Sequence, residues 1–179
     1  MATARDALRL NATYFHTEAE DFIEQVVGAT TTTNRNIPKA EIKGTELSAQ
    51  YDTPFAFAGI GYARIRGDNE QTNLPINSIP ADKLTTVFGG KLPEYGLRFG
   101  LRSEFAAEQD RIDTSGTATS GYAVHGVFVT WFPQIELLQN FRVDAGVENI
   151  FDTTYRRHLQ SIYEEGRDYR VAVSYAKGF

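Results

Sequence analysis

Cysteine is absent from the 179-residue chain, which excludes disulfide frameworks, thiolate metal sites and cysteine nucleophiles. No run of about 18 apolar residues occurs anywhere, so the sequence contains no transmembrane helix. Basic residues are in deficit. The 18 Lys and Arg stand against 23 Asp and Glu, and the formal net charge of −5 argues against a nucleic-acid partner. Hydrophobic residues amount to 41%, below the usual globular share, and no continuously apolar core is evident. The opening Met1-Ala2-Thr3-Ala4-Arg5-Asp6 has no charged region followed by an apolar stretch, so no signal peptide is expected.

What the chain has instead is period-2 alternation, repeated many times. Over Leu97–Phe105, Leu97, Phe99, Leu101, Ser103 and Phe105 share one face, and Arg98, Gly100, Arg102 and Glu104 share the other. Phe141–Glu148 repeats this, with Phe141, Val143, Ala145 and Val147 opposite Arg142, Asp144, Gly146 and Glu148. In the last segment Tyr169, Val171, Val173, Tyr175 and Phe179 line one face, opposite Arg170, Ala172, Ser174 and Ala176. Helical spacing fits none of these. Weaker segments follow at about Leu8–Phe22, Ala40–Tyr51, Phe55–Arg66, Lys83–Leu92 and Gly121–Phe132. Together they predict about eight strands, most near the roughly 9–11 residues that a tilted strand needs to cross a bilayer. Soluble strands average only about 5–6 residues.

The connections alternate in length. Asp52-Thr53-Pro54 and Pro93-Glu94-Tyr95-Gly96 are tight turns built from turn-forming residues, and Pro133–Asn140 is of medium length. Val27–Ile37, Gly67–Pro80, Ala107–Ser120 and Asp152–Arg167 are long and polar. Short periplasmic turns and long extracellular loops are the asymmetry of an outer-membrane barrel. Alternation alone does not say which face lies inside, so a soluble lipocalin-like barrel with its apolar face inward is the competing reading. In the membrane reading Leu97, Phe99, Leu101, Phe141, Val143, Val171, Val173 and Tyr175 face lipid, while Arg98, Arg102, Arg142, Asp144 and Arg170 face the lumen. Tyr14, Tyr62, Tyr95, Tyr122, Trp131, Phe132, Phe151 and Tyr169 then read as interfacial girdles, or as ordinary strand propensity.

Three elements carry a resemblance. They are Val147-Glu148-Asn149-Ile150-Phe151-Asp152-Thr153-Thr154-Tyr155, then Gly166-Arg167-Asp168-Tyr169-Arg170-Val171, and the terminal strand ending in Phe179. With Ala40-Glu41-Ile42-Lys43-Gly44-Thr45-Glu46-Leu47 upstream, the chain resembles the TonB-dependent outer-membrane receptors. Ile150 stands where that family more often has Leu, and Lys177 interrupts the terminal apolar face. Ser78-Ile79-Pro80-Ala81-Asp82-Lys83, Gln109-Asp110-Arg111 and Arg156-Arg157-His158-Leu159 look most like the haem and haemoglobin receptors of the family.

The resemblance implies an antiparallel, all-β transmembrane segment of about eight strands. It would be an open curved sheet forming part of a larger barrel of about 22 strands. Residues 1–179 would then be the C-terminal barrel portion of a receptor, with plug domain and signal peptide absent. It implies location in the Gram-negative outer membrane and uptake of an iron chelate, haem being the candidate, into the periplasm. The implied partners are outer-membrane lipid, the remaining barrel and plug, TonB through the missing N-terminal region, and the iron chelate or haem ligand. No cofactor is implied. The alternative is a complete small eight-stranded outer-membrane barrel acting as a passive pore or adhesion protein. Its narrow lumen would have little room for Arg98, Arg102, Glu104, Arg142, Asp144 and Glu148 together.

No enzyme is expected. His16, His125 and His158 show no metal-ligand spacing, and Ser103 and Ser174 lack a nucleophile-elbow context. His125, among apolar residues on a strand, reads as lumen-facing. Arg156, Arg157 and His158 fall in the last long loop, where they could meet an anionic or haem-like ligand; a solvated loop is the competing reading. Tyr169, Val171, Val173, Tyr175 and Phe179 are expected to form the closing strand of the whole barrel.

Overall fold

Each alternating segment forms a strand of one antiparallel sheet in a computed structural model, which describes residues 7–27 and 31–176. The strands are β1 (Ala7–Val27), β2 (Thr32–Asp52), β3 (Ala56–Asn69), β4 (Leu74–Pro75), β5 (Lys83–Leu92), β6 (Leu97–Ala106), β7 (Tyr122–Trp131), β8 (Phe141–Glu148) and β9 (Asp168–Tyr175). Neighbours in sequence pair in space, in the order β1-β2-β3-β5-β6-β7-β8-β9, with the two-residue β4 on β3 alone. The main path therefore has the eight strands expected. Among the described residues nothing pairs β1 with β9, so the sheet is open with two free edges. Lipid cannot hydrogen-bond a free backbone edge, so these edges belong against further strands of a larger barrel.

The long connection expected at Val27–Ile37 is mostly strand. β1 and β2 run 21 residues each, and Thr32–Ile37 pair rung by rung with Phe22–Val27. Polar residues continue the ladder here because the strands have left the hydrocarbon, where no apolar face is required. Asp21 (φ 53°) and Pro38 stand unpaired between the rungs Glu20–Lys39 and Phe22–Ile37. Pro38 has no N–H to give the ladder. The pattern of faces shifts there, which brings Ile37 as well as Ala40 to the inner side.

The apolar faces point outward. Leu8, Leu10, Phe88, Phe99, Val127, Val129, Val171 and Val173 are all exposed, a soluble protein turned inside out. The polar alternates Arg98, Arg102, Arg142, Asp144 and Arg170 line the concave side, as the membrane reading requires. This removes the soluble barrel with an apolar lumen. Buried hydrophobic residues are few, and Ile37, Ala40, Ile76 and Ile79 cluster at the long-loop end with Phe22, Ile42 and Ile65 packed against them. Gly67 lies beneath this cluster, and a Cβ there would meet the Ile79 side chain at 2.7 Å.

Two expected placements differ. His125 points outward, not into the lumen: Ser103 Oγ lies 2.8 Å from its Nδ1, and Phe105 and Phe151 meet its ring edge-on at 5.5 Å. The hydroxyl satisfies the imidazole, which lets a histidine sit on the apolar face. Tyr122 leaves the girdle and turns inward, donating its O–H to Glu104 Oε1 at 2.6 Å.

Candidate functional site

The concave face encloses about 1710 Å³, and its floor is laid out by the strand register. One row crosses the sheet as Phe57, Gly89, Gly100 and Phe128. The two glycines leave room for the two rings to lean over them, with centroids 6.2 Å apart. Arg98 stacks on Phe57 at 4.1 Å from the ring centre, and Arg102 lies 5.3 Å from that of Phe128. Stacking holds guanidinium groups against the wall while leaving their edges free. Arg102 also reaches across Gly126 to pair with Glu148. Arg142 pairs with Asp144 at 2.8 Å, and Thr130 donates to the same carboxylate at 2.7 Å.

Gly89→Ala should therefore lower barrel stability by a few kcal/mol, because its Cβ would press on the Phe99 carbonyl and at 2.6 Å on the Phe57 ring. A lower temperature for loss of heat-modifiable gel mobility in the whole receptor would register this. An unchanged temperature would mean that the ring row is not a packing constraint.

Above the floor, three long loops are tied into a roof. Glu24, fully buried, pairs with Arg35 and accepts the backbone N–H groups of Asn77 and Ser78. Arg35 also reaches Asp113 at 2.7 Å. The Asn77 amide donates to Asp113 Oδ1 at 2.8 Å, and its carbonyl oxygen accepts the Asp113 backbone N–H at 2.7 Å. Gln109 donates to the Ile79 carbonyl at 2.6 Å. His158 joins the last loop to the other two. Its Nε2 donates to the Asn77 carbonyl at 2.6 Å, and Nδ1 lies 3.0 Å from Thr119 Oγ1. The three short motifs that resemble haem receptors thus converge on one place.

Burial works against the charge of Asp113, but hydrogen bonds from Ser115, Asn77 and Arg35 outweigh it and hold its carboxyl well below the usual range. A depressed pKa stabilises the folded network above the unfolded value of about 3.9. That contribution is lost only as the pH falls through the lower folded value. Protease protection of the segment 107–121 should persist from neutral pH down to about pH 4. Loss of protection near pH 5–6 would show that another group governs the roof.

The three expected vestibule residues separate. His158 spends both ring nitrogens on the roof. Arg157 lines the concavity at its rim, 3.3 Å from Glu104 and 3.3 Å from Glu164, beside the Tyr122–Tyr155 ring pair at 4.4 Å. Arg156 is partly exposed and is ion-paired with no described carboxylate. On β9, Tyr169, Val171, Val173 and Tyr175 point outward along the free edge strand; Phe179 lies outside the described residues. Sequence reasoning did not single out Glu24, Arg35, Asn77 or Asp113. Only the adjacency of Asn77 to the Ser78–Lys83 motif gave a signal. Among the described residues no cluster of His, Asp and Glu could hold a metal ion.

Residues 3–150 match the family described as TonB dependent receptor-like, beta-barrel. The chain is similar to the TonB-dependent heme receptor A of Haemophilus influenzae, at 29% identity across 94% of this chain and 27% of that protein. It is also similar to the hemin receptor of Yersinia pestis, at 31% identity across 96% of this chain and 25% of that protein. The chain spans about a quarter of the length of these curated relatives. Among solved structures, the copper transporter OprC shares the fold with a TM-score of 0.80 at 22% identity, over 94% of this chain and 28% of that one. The FrpB iron transporter from Neisseria meningitidis does so with a TM-score of 0.71 at 21% identity, over 94% and 29% of the two chains.

Proposed function

This chain belongs to the TonB-dependent receptor β-barrel family, and from that premise we propose that it builds the wall and part of the outer vestibule of a receptor importing an iron chelate, haem being the leading candidate, into the periplasm. The observation that carries this reading is the likeness to haem and hemin receptors over nearly the whole chain, loops included. The open, outward-apolar sheet supports a place in the Gram-negative outer membrane, with β1 and β9 joined to the rest of the receptor barrel. A plug inside that barrel and TonB acting through the N-terminal region would complete the machine, and residues 1–179 are all assigned to the barrel wall. The chain is assigned no catalytic step.

Within the vestibule we place ligand contact on the rim beside Tyr155. Arg157 and the less engaged Arg156 offer cations to anionic groups of the ligand, and His158 positions them by tying their loop to Asn77 and Thr119. The closed small-pore alternative is disfavoured by the unpaired edges. Deleting the full-length gene should abolish growth on haemin as sole iron source while sparing growth on ferrous iron. Unimpaired growth and haemin uptake in the deletion strain would refute the haem assignment.

A further inference from the structure

One column of β6 carries charge from the rim of the concave face to its short-turn end. Glu104 stands at the top, Arg102 below it, and Arg98, the second residue of the strand, at the bottom. Six residues of extended chain separate Glu104 from Arg98, a descent of about 20 Å. The arginines lose carboxylates along the way. At the rim Arg157 lies 3.3 Å from both Glu104 and Glu164, and Glu104 is also 3.9 Å from Lys83. One step down, Arg102 has Glu148 alone. Arg98 is ion-paired with no described carboxylate, unlike Arg102, Arg142, Arg157 and Arg170 on the same lining. We propose that Arg98 is a second station for the ligand, deep on the wall, which takes its carboxylates after they leave the rim.

The guanidinium of Arg98 is held by rings rather than by an anion. It lies 4.1 Å from the centre of Phe57 and 6.0 Å from that of Phe128. Stacking of this kind leaves the N–H edge available, and that edge can donate two parallel hydrogen bonds to one carboxylate. The positive charge is also uncancelled by its surroundings. Lys91, the register neighbour on β5, is paired with Asp52, and Arg142 is paired with Asp144. Glu94 and Glu136 stand exposed on the turns at this end, outside the lining of the concavity, and are ion-paired with no described cation. An anion leaving Arg157 can therefore exchange with Glu148 at Arg102 and come to rest on a cation with no resident partner.

The inference rests on the reading of the chain as part of a haem receptor, and the test keeps the two apart. Cells carrying the full-length receptor are given saturating haemin or its dimethyl ester, which lacks free carboxylates. The parent should import haemin faster than the ester. Arg98→Gln should lower haemin import roughly tenfold, the scale of one charged hydrogen bond, and leave ester import unchanged. Haemin affinity in de-energised cells, which reports the rim, should match that of the parent. Arg98→Lys keeps the charge without the fork and should fall between; it serves where Arg98→Gln fails to reach the heat-modifiable form. Lys43→Gln removes a cation paired with Glu41 outside the concavity and should change nothing. Equal import of both haemins by the parent, undiminished haemin import by Arg98→Gln, or an equal loss with the ester overturns the proposal. So does entry of vancomycin through Arg98→Gln, which would make Arg98 a seat for the plug. A parent receptor that imports no haemin would instead refute the haem assignment on which the station rests.

Discussion

Val173→Arg in the full-length receptor should sharply reduce the fraction that assembles into heat-stable barrel, while Ser174→Arg should assemble nearly as well as the parent. The two positions are neighbours on β9 and pair with Val143 and Arg142 of β8. Val173 lies in the outward apolar band with Val171 and Tyr175, all exposed along the strand, so an arginine there must enter hydrocarbon. That costs roughly 2–4 kcal/mol at mid-depth, a large part of the stability of a typical domain. Ser174 alternates to the inner face, where an added guanidinium meets water and neighbouring polar groups. β9 also offers its free edge to the strand that completes the barrel, so the penalty acts at the closure step. Comparable assembly of both variants, measured by gel mobility before and after heating, would mean the faces are assigned the wrong way round.

Glu24→Ala should open the roof without unfolding the barrel. Glu24 is fully buried and receives Arg35 and two backbone N–H groups. Its loss leaves the amide of Asn77, itself 2% exposed, without an acceptor. Arg35 softens the effect, because its partly exposed guanidinium keeps Asp113. A net cost of about 2–3 kcal/mol follows. The loops would pay it by separating, since they are held by fewer contacts than the strands. Protease added outside the cell should cleave after Arg111 at least tenfold faster in the variant, on the order expected for that loss. Glu24→Gln, which keeps one oxygen acceptor for the amides, should fall between. Parental cleavage rates in Glu24→Ala would show that the apolar cluster of Ile37, Ile76 and Ile79 holds the roof alone.

The alternation of apolar and charged residues was sufficient to find the strands, their antiparallel order and the polar character of one face. Side chains alternate strictly across a strand, so the pattern survives any choice of neighbours. Membership in a receptor barrel was legible too, through Val147–Tyr155 and Gly166–Val171, because these elements are contiguous. Three matters were decided only by tertiary structure. The first is the extension of β1 and β2 beyond the membrane, where Thr32–Ile37 read as loop by composition but gain strand hydrogen bonds from their partner. The second is the fate of single polar residues: His125 turns toward lipid because Ser103 happens to stand opposite it, and Tyr122 turns inward to Glu104. The third is the roof, in which Glu24, Arg35, Asn77, Asp113 and His158 come from five separate places in the chain. Each of those residues is unremarkable alone. A buried polar network exists only when partners distant in sequence satisfy one another, and no local pattern records that.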